Sequence, residues 1–190
     1  MTTGMATDLH RYLQESRDSL LRSLDGLSEY DVRRPMTPTA TNLLGLVKHL
    51  VGIEFGYLGD CVGRPAPVPL PWVEDDSVWE SADMWAKADE TREYIVDLYR
   101  QAWRHSDESI DQLPLDAPAS VPWWPEGGRT TTFGSLLVRV LKDTAQHAGQ
   151  ADIVRESIDG QAGRDHNTTG DEQWWTNYVK NVQEAADQHR

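Results

Sequence analysis

Asp143 and His147 stand four residues apart in the run Asp143-Thr-Ala-Gln-His147, and His49 lies far upstream among apolar residues. On a helix over 133–158, Asp143 and His147 share one face with Cβ atoms about 5–6 Å apart. That separation lets a carboxylate and an imidazole grip one ion through bonds of about 2 Å each. Two histidines and a carboxylate are a common divalent-metal set that leaves coordination positions open for chemistry. The bland alternatives stand beside this one. An acid and a histidine at this spacing also form a plain ion pair, and a lone histidine on an apolar helix face is most often a hydrogen-bonded core residue. Asp143 among Val140, Leu141 and Ala145 needs a partner in either case, because burying a lone carboxylate is costly. A metal accounts for His49, Asp143 and His147 together, and helix bundles build such sites from inward side chains on facing helices.

Other reactive residues point less clearly to chemistry. His10 and His105 fall in or near charged helical stretches, His166 in a polar loop and His189 beside the C-terminus. Cys61 has no histidine at a local spacing suited to a thiol–base pair and reads as structural. Asn167-Thr-Thr169 has the form of a glycosylation acceptor, which means nothing without secretion. Gly127-Gly128 reads as a turn. Gln150, three residues beyond His147, could lie on the metal side of its helix. Arg155 could hold an anion, although an ion pair with Asp152, Glu156 or Asp159 is the simpler role. Tyr57, Trp123 and Trp124 could line or cover a bundle mouth, or pack in the core or at an interface.

The elements that must position these residues read as helices. Leu9, Tyr12, Leu13, Leu20 and Leu24 give a helical stripe over 7–24, with Thr7 or Asp8 as a cap. Residues 28–39, with Pro35 and Pro38, read as a loop. A second, mostly apolar helix runs from Thr41 or Asn42 to about Val62 and carries His49. Pro65, Pro67, Pro69 and Pro71 exclude a helix and predict an extended connector. A third helix is predicted from Ser81, where Ser-Ala-Asp-Met looks like a cap with a first-turn acid, to about Ile110. Pro114, Pro118, Pro122 and Pro125 make 113–130 a structured loop with room for a short hairpin. The fourth helix runs from Thr131 or Thr132 to Gly160, with Leu136, Val140, Asp143, His147, Ala151 and Val154 on one face. A shorter terminal helix covers 171–187. Four long helices and one shorter one predict an all-α bundle forming a single domain over 1–190.

The whole chain limits the partners. A formal charge of −13 argues against nucleic acid, which needs a basic patch. No apolar run approaches the roughly 20 residues of a membrane span. The N-terminus lacks the basic start and apolar core of a signal peptide, and a single cysteine suits a reducing, cytoplasmic setting. Eight Trp against two Phe is unusual, and Trp serves wet pockets and interfaces as well as cores.

The run Asn42-Leu-Leu-Gly-Leu-Val-Lys-His49-Leu-Val resembles the second-helix signature of DinB-like metalloproteins. Asp143-Thr-Ala-Gln-His147-Ala-Gly-Gln-Ala-Asp152-Ile-Val-Arg155-Glu156, ending at Gly160, resembles the late-helix signature of the same superfamily. The similarity spans about Leu9 to Gly160 and is greatest to the branch related to mycothiol-dependent maleylpyruvate isomerase. The resemblance implies an up-and-down four-helix bundle assembled as a homodimer, to which the residues themselves add long crossover loops and an extra C-terminal helix. It implies one divalent metal, zinc or nickel first, held by His49, His147 and a third ligand. Asp143 stands where the family usually has His or Glu, and its side chain is shorter than Glu by one methylene. The implied activity is transfer or isomerisation of a small electrophile with a low-molecular-weight thiol of the mycothiol or bacillithiol type as cosubstrate. Metal-dependent hydrolysis, or non-catalytic binding of a metal or ligand in a stress response, are the alternatives.

Overall fold

A computed structural model describes residues 4–161 and 170–190; His166 and Asn167-Thr-Thr169 lie outside them. The helices are α1 (Met5–Arg22), α2 (Glu29–Arg33), α3 (Leu43–Leu58), α4 (Pro71–Glu74), α5 (Arg92–Gln112), α6 (Phe133–Asp159) and α7 (Glu172–Asp187). The only strands among the described residues are β1 (Pro118–Ser120) and β2 (Thr130–Thr132), an antiparallel pair in which Ala119 faces Thr131. The chain is therefore all-α, with α1, α3, α5 and α6 forming the bundle.

Side-chain contacts fix the helix directions. Arg92 at the start of α5 donates to the Leu27 carbonyl beyond the end of α1, and His10 of α1 meets Asp107 of α5, so these two run antiparallel. Arg155 near the end of α6 donates to the carbonyls of Ser23 and Asp25, so α6 runs with α1. Lys48 of α3 meets Glu90 just before α5, while Gly59, beyond the end of α3, lies beside His105. Helices α3 and α5 thus run the same way. Parallel neighbours need a long connection, and the crossover over 59–91 supplies it.

Local chemistry explains most boundaries. The Asn42 side chain accepts from the Gly45 amide and caps α3; Thr132 does the same for α6 through Ser135. Gly160 ends α6 at a φ of 74°, a left-handed position that suits glycine. Helix α1 starts earlier than its sequence suggests, at Met5, and neither Thr7 nor Asp8 caps it; Gly4 takes that position without a side-chain bond. The 28–39 loop contains the short α2, started by Ser28, whose hydroxyl accepts from the Asp31 amide.

The largest difference lies at the third long helix. It begins at Arg92, capped by Thr91, and not near Ser81. Residues Ala82–Met84 form a single 3-10 turn. The cause is tertiary. Lys48, fully buried on α3, donates from Nζ to the carbonyls of Ala82 and Trp85, each at 3.0 Å, and to the Glu90 carboxylate at 2.8 Å. Asn42 donates to the Met84 carbonyl at 3.1 Å, and a Cβ at Gly45 would overlap that same carbonyl. Carbonyls turned toward α3 cannot accept from a following helical turn. Residues 82–85 therefore form a strap across α3, and helix propensity yields to packing.

The core fills the bundle along its length, from Leu20, Leu43, Leu50 and Ile95 to Leu13, Leu58, Phe133 and Val140. Within it, Arg17 and Glu54 are both fully buried and paired at 2.7 Å, and Arg17 also holds Asp107 at 2.7 Å. Burial opposes the Arg17 charge, but Glu54 and Asp107 outweigh it and raise its pKa. Helix α7, the expected extra C-terminal helix, has no buried residue, and Trp174 stacks on Tyr178 within it. Among the described residues no helix is long and apolar enough to cross a membrane.

Candidate metal centre

Helix α3 carries His49 on the side facing α6, and the unbroken run of α6 keeps Asp143 and His147 one turn apart. The three residues meet. His49 Nε2 lies 3.8 Å from Asp143 Oδ2, and His147 Nε2 lies 4.0 Å from Asp143 Oδ1. The two imidazole rings are 5.0 Å apart, edge to face, and one ligand atom from each residue falls within 4.8 Å of the others. Two ligands on one ion at bonds of about 2.1 Å can stand up to about 4.2 Å apart. Both acid–imidazole distances are already inside that limit. The shorter aspartate side chain thus reaches both histidines without help from a longer residue.

Each histidine is held from behind. His49 Nδ1 lies 2.6 Å from Oδ2 of Asp83, a buried residue on the strap. His147 Nδ1 lies 2.8 Å from Oε1 of Gln150, one turn further along α6. Oxygen acceptors at both Nδ1 positions make those nitrogens the donors and turn both Nε2 atoms toward Asp143, where each offers a lone pair once it is unprotonated. This is the arrangement in which an outer carboxylate or amide orients a metal-binding imidazole. Gln150, read as a residue that could lie on the metal side, contacts His147. Asp83 was invisible as a site residue in the sequence, because it reaches His49 only through the strap.

The electrostatics suit a cation. Burial opposes charge on His49, but Asp143 and Asp83 outweigh it and raise its pKa to about 9. Hydrogen bonding to His49 lowers the Asp143 pKa against burial, with His147 and Arg139 adding to the fall. Burial, aided by the His49 charge, lowers the pKa of His147 despite its bond to Gln150. Near neutral pH the metal-free cluster therefore holds a charged His49 between two carboxylates and a neutral, ligand-ready His147. The donor set of two imidazoles and a carboxylate fits a divalent metal ion.

A model of the mycothiol S-transferase family matches residues 8–160. The chain belongs to the mycothiol S-transferase family. The matched span of this transferase-family chain takes in His49, Asp83, Asp143 and His147 and stops where α6 ends, so α7 lies beyond it. The family is DinB-like, as the resemblance implied. A crystal structure titled as a conserved protein from Enterococcus faecalis has the same fold, with a TM-score of 0.64 and 14% identity over 84% of this chain and 100% of that one. No curated protein matches.

The other residues singled out in this family member have structural partners. Arg155 pairs with Asp159 and donates to the Ser23 and Asp25 carbonyls, so it ties α6 to the end of α1. His10 contacts Asp107, and His105 contacts the Arg64 carbonyl. Cys61 is buried, and burial first, then Asp60, pushes its thiol pKa up to about 12, which keeps it unreactive. Trp123 and Trp124 both donate to the Tyr57 hydroxyl, at 3.2 and 3.4 Å, and cover the far part of the α3–α6 face.

Two results should follow from this geometry. Asp83→Asn keeps the shape but removes the charge behind His49. Metal affinity should fall about 10–100-fold, measured by competition with a chelating dye; unchanged affinity would show that Asp83 does not support the ligand. Metal must also displace the proton from His49. Apparent affinity should therefore fall about tenfold for each pH unit below about 9. A flat affinity between pH 6.5 and 8.5 would contradict the assigned charge on His49.

Proposed function

We propose that His49, Asp143 and His147 bind one divalent ion, zinc or nickel, and that the loaded protein joins a low-molecular-weight thiol of the mycothiol type to a small electrophile. The observation that carries this reading is the convergence of both Nε2 atoms on one carboxylate, each imidazole braced from behind, within a chain matched by the S-transferase family. A divalent ion at such a site lowers the pKa of a bound thiol so that thiolate forms at neutral pH. The thiol proton leaves to solvent, a sulfur–carbon bond forms, and the electrophile loses its leaving group or, in an isomerisation, later releases the thiol unchanged.

The chain's own residues supply the setting. Asp83 and Gln150 keep the two imidazoles aimed, and Asp143 neutralises part of the ionic charge. The same reading makes the protein a cytoplasmic homodimer, where the lone Cys61 stays reduced. Metal-loaded protein with mycothiol and monobromobimane should consume the bimane faster than thiol and bimane alone, and a chelator should abolish the gain. Cleavage of a model ester without any thiol would favour hydrolysis instead. A bound metal with turnover of neither substrate would favour a non-catalytic binding role.

A further inference from the structure

Arg139 lies on α6 one turn before Asp143, about 6 Å along the helix axis from it. Its guanidinium sits 4.8 Å from the centre of the Tyr57 ring and 5.3 Å from that of Trp124. These rings are themselves fixed. Tyr57 is buried, its hydroxyl accepts both indole N–H groups, and Trp123 rests over Gly56 of α3. Arg139 is exposed, and no carboxylate or carbonyl among the described residues takes its hydrogen bonds. Arg17, Arg33, Arg64, Arg92 and Arg155 all have such partners. The neighbours that fix the Arg139 guanidinium are those two rings, with Asp143 near enough to feel its charge.

Stacking on rings orients a guanidinium and leaves its edge of N–H donors open, the geometry that matches a carboxylate with two parallel bonds. The acidic chain would otherwise repel an anionic ligand. Trp123, which is 42% exposed, packs edge-on against the same Tyr57 ring and adds apolar surface next to it. We propose that Arg139, braced by Tyr57 and Trp124, anchors the carboxylate of an organic acid whose reactive end reaches the His49, Asp143 and His147 cluster. The anchor rests on the transferase reading for what happens to its ligand. The carboxylate belongs either to the thiol or to the electrophile.

Binding tests the anchor without any need for turnover. Benzoate and benzamide, matched but for charge, are titrated into the metal-free full-length chain while the indole N–H resonances of Trp123 and Trp124 are followed by NMR. Benzoate should bind at least about tenfold more tightly than benzamide and shift both resonances; Arg139→Gln should abolish that preference, and Arg139→Lys should keep part of it. Equal binding of the two probes, or a preference that survives Arg139→Gln, would overturn the proposal. In turnover with metal, Arg139→Gln should raise KM for the partner that bears the carboxylate and leave kcat nearly unchanged. Pairing acidic and neutral electrophiles with acidic and neutral thiols identifies that partner, and an equal effect on all four pairs would overturn the anchor. Benzoate selectivity without thiol transfer would refute the transferase reading and leave the anion site standing.

Discussion

His147→Ala should strip the protein of stoichiometric metal while its helical circular dichroism stays largely intact. Alanine favours a helix more than histidine does, and the His147 side chain reaches out from α6 toward His49 and Asp143 without filling the core. Two ligands, His49 and Asp143, would remain. We expect affinity to drop at least about 100-fold, since outer-shell changes alone cost about 10–100-fold. Thiol-dependent consumption of electrophile should vanish with the metal. One metal per chain in the variant, at wild-type affinity, would remove His147 from the site.

Lys48→Met should be among the most destabilising single changes in the chain, although Lys48 is not a ligand. Its ammonium is fully buried, with two carbonyls and the Glu90 carboxylate as acceptors and the Trp72 ring 4.6 Å away. Methionine fills similar space, so a cavity is not the main cost. What remains is a carboxylate and two carbonyls without their donor. Breaking a buried ion pair by removing one partner costs about 3–5 kcal/mol, measurable by urea unfolding of metal-free protein. The strap carrying Asp83 would loosen as well, so metal affinity should weaken in the folded variant. A loss below about 1 kcal/mol would show that Lys48 does not hold the strap.

These two predictions mark the boundary of what the residues declared in advance. Helix α6 was legible from end to end, because Thr132 and Gly160 punctuate it and Asp143 and His147 keep a helical spacing. Its meeting with His49 could be anticipated, since apolar helices α3 and α6 must pack against each other. The prolines at 65, 67, 69 and 71 announced a crossover, although Pro71 opens the short α4 instead of excluding it, because its missing N–H costs nothing at a helix start, and those at 114–125 announced a structured loop with room for the hairpin. Asp83 could not be found in this way. Its role depends on Lys48, Asn42 and Gly45 drawing the 82–85 backbone across α3, and the acid-rich start after Ser81 looked like an ordinary helix cap. Nothing in the sequence sets Arg17 and Glu54 apart from surface charges, because their burial and their link to Asp107 arise only once three helices have met around them. Arg139 drew no notice because aromatic rings distant in sequence give it its orientation.

Diffraction from crystals of the metal-loaded protein, with anomalous data at the absorption edge of the ion, would test the central claim most directly. The account predicts one strong peak between α3 and α6, within about 2.0–2.2 Å of His49 Nε2, His147 Nε2 and an Asp143 carboxylate oxygen, with Asp83 and Gln150 still on the two Nδ1 atoms. A peak bonded elsewhere, or none at that position in crystals soaked with zinc or nickel, would contradict it and leave His49, Asp143 and His147 as a structural ion-pair cluster.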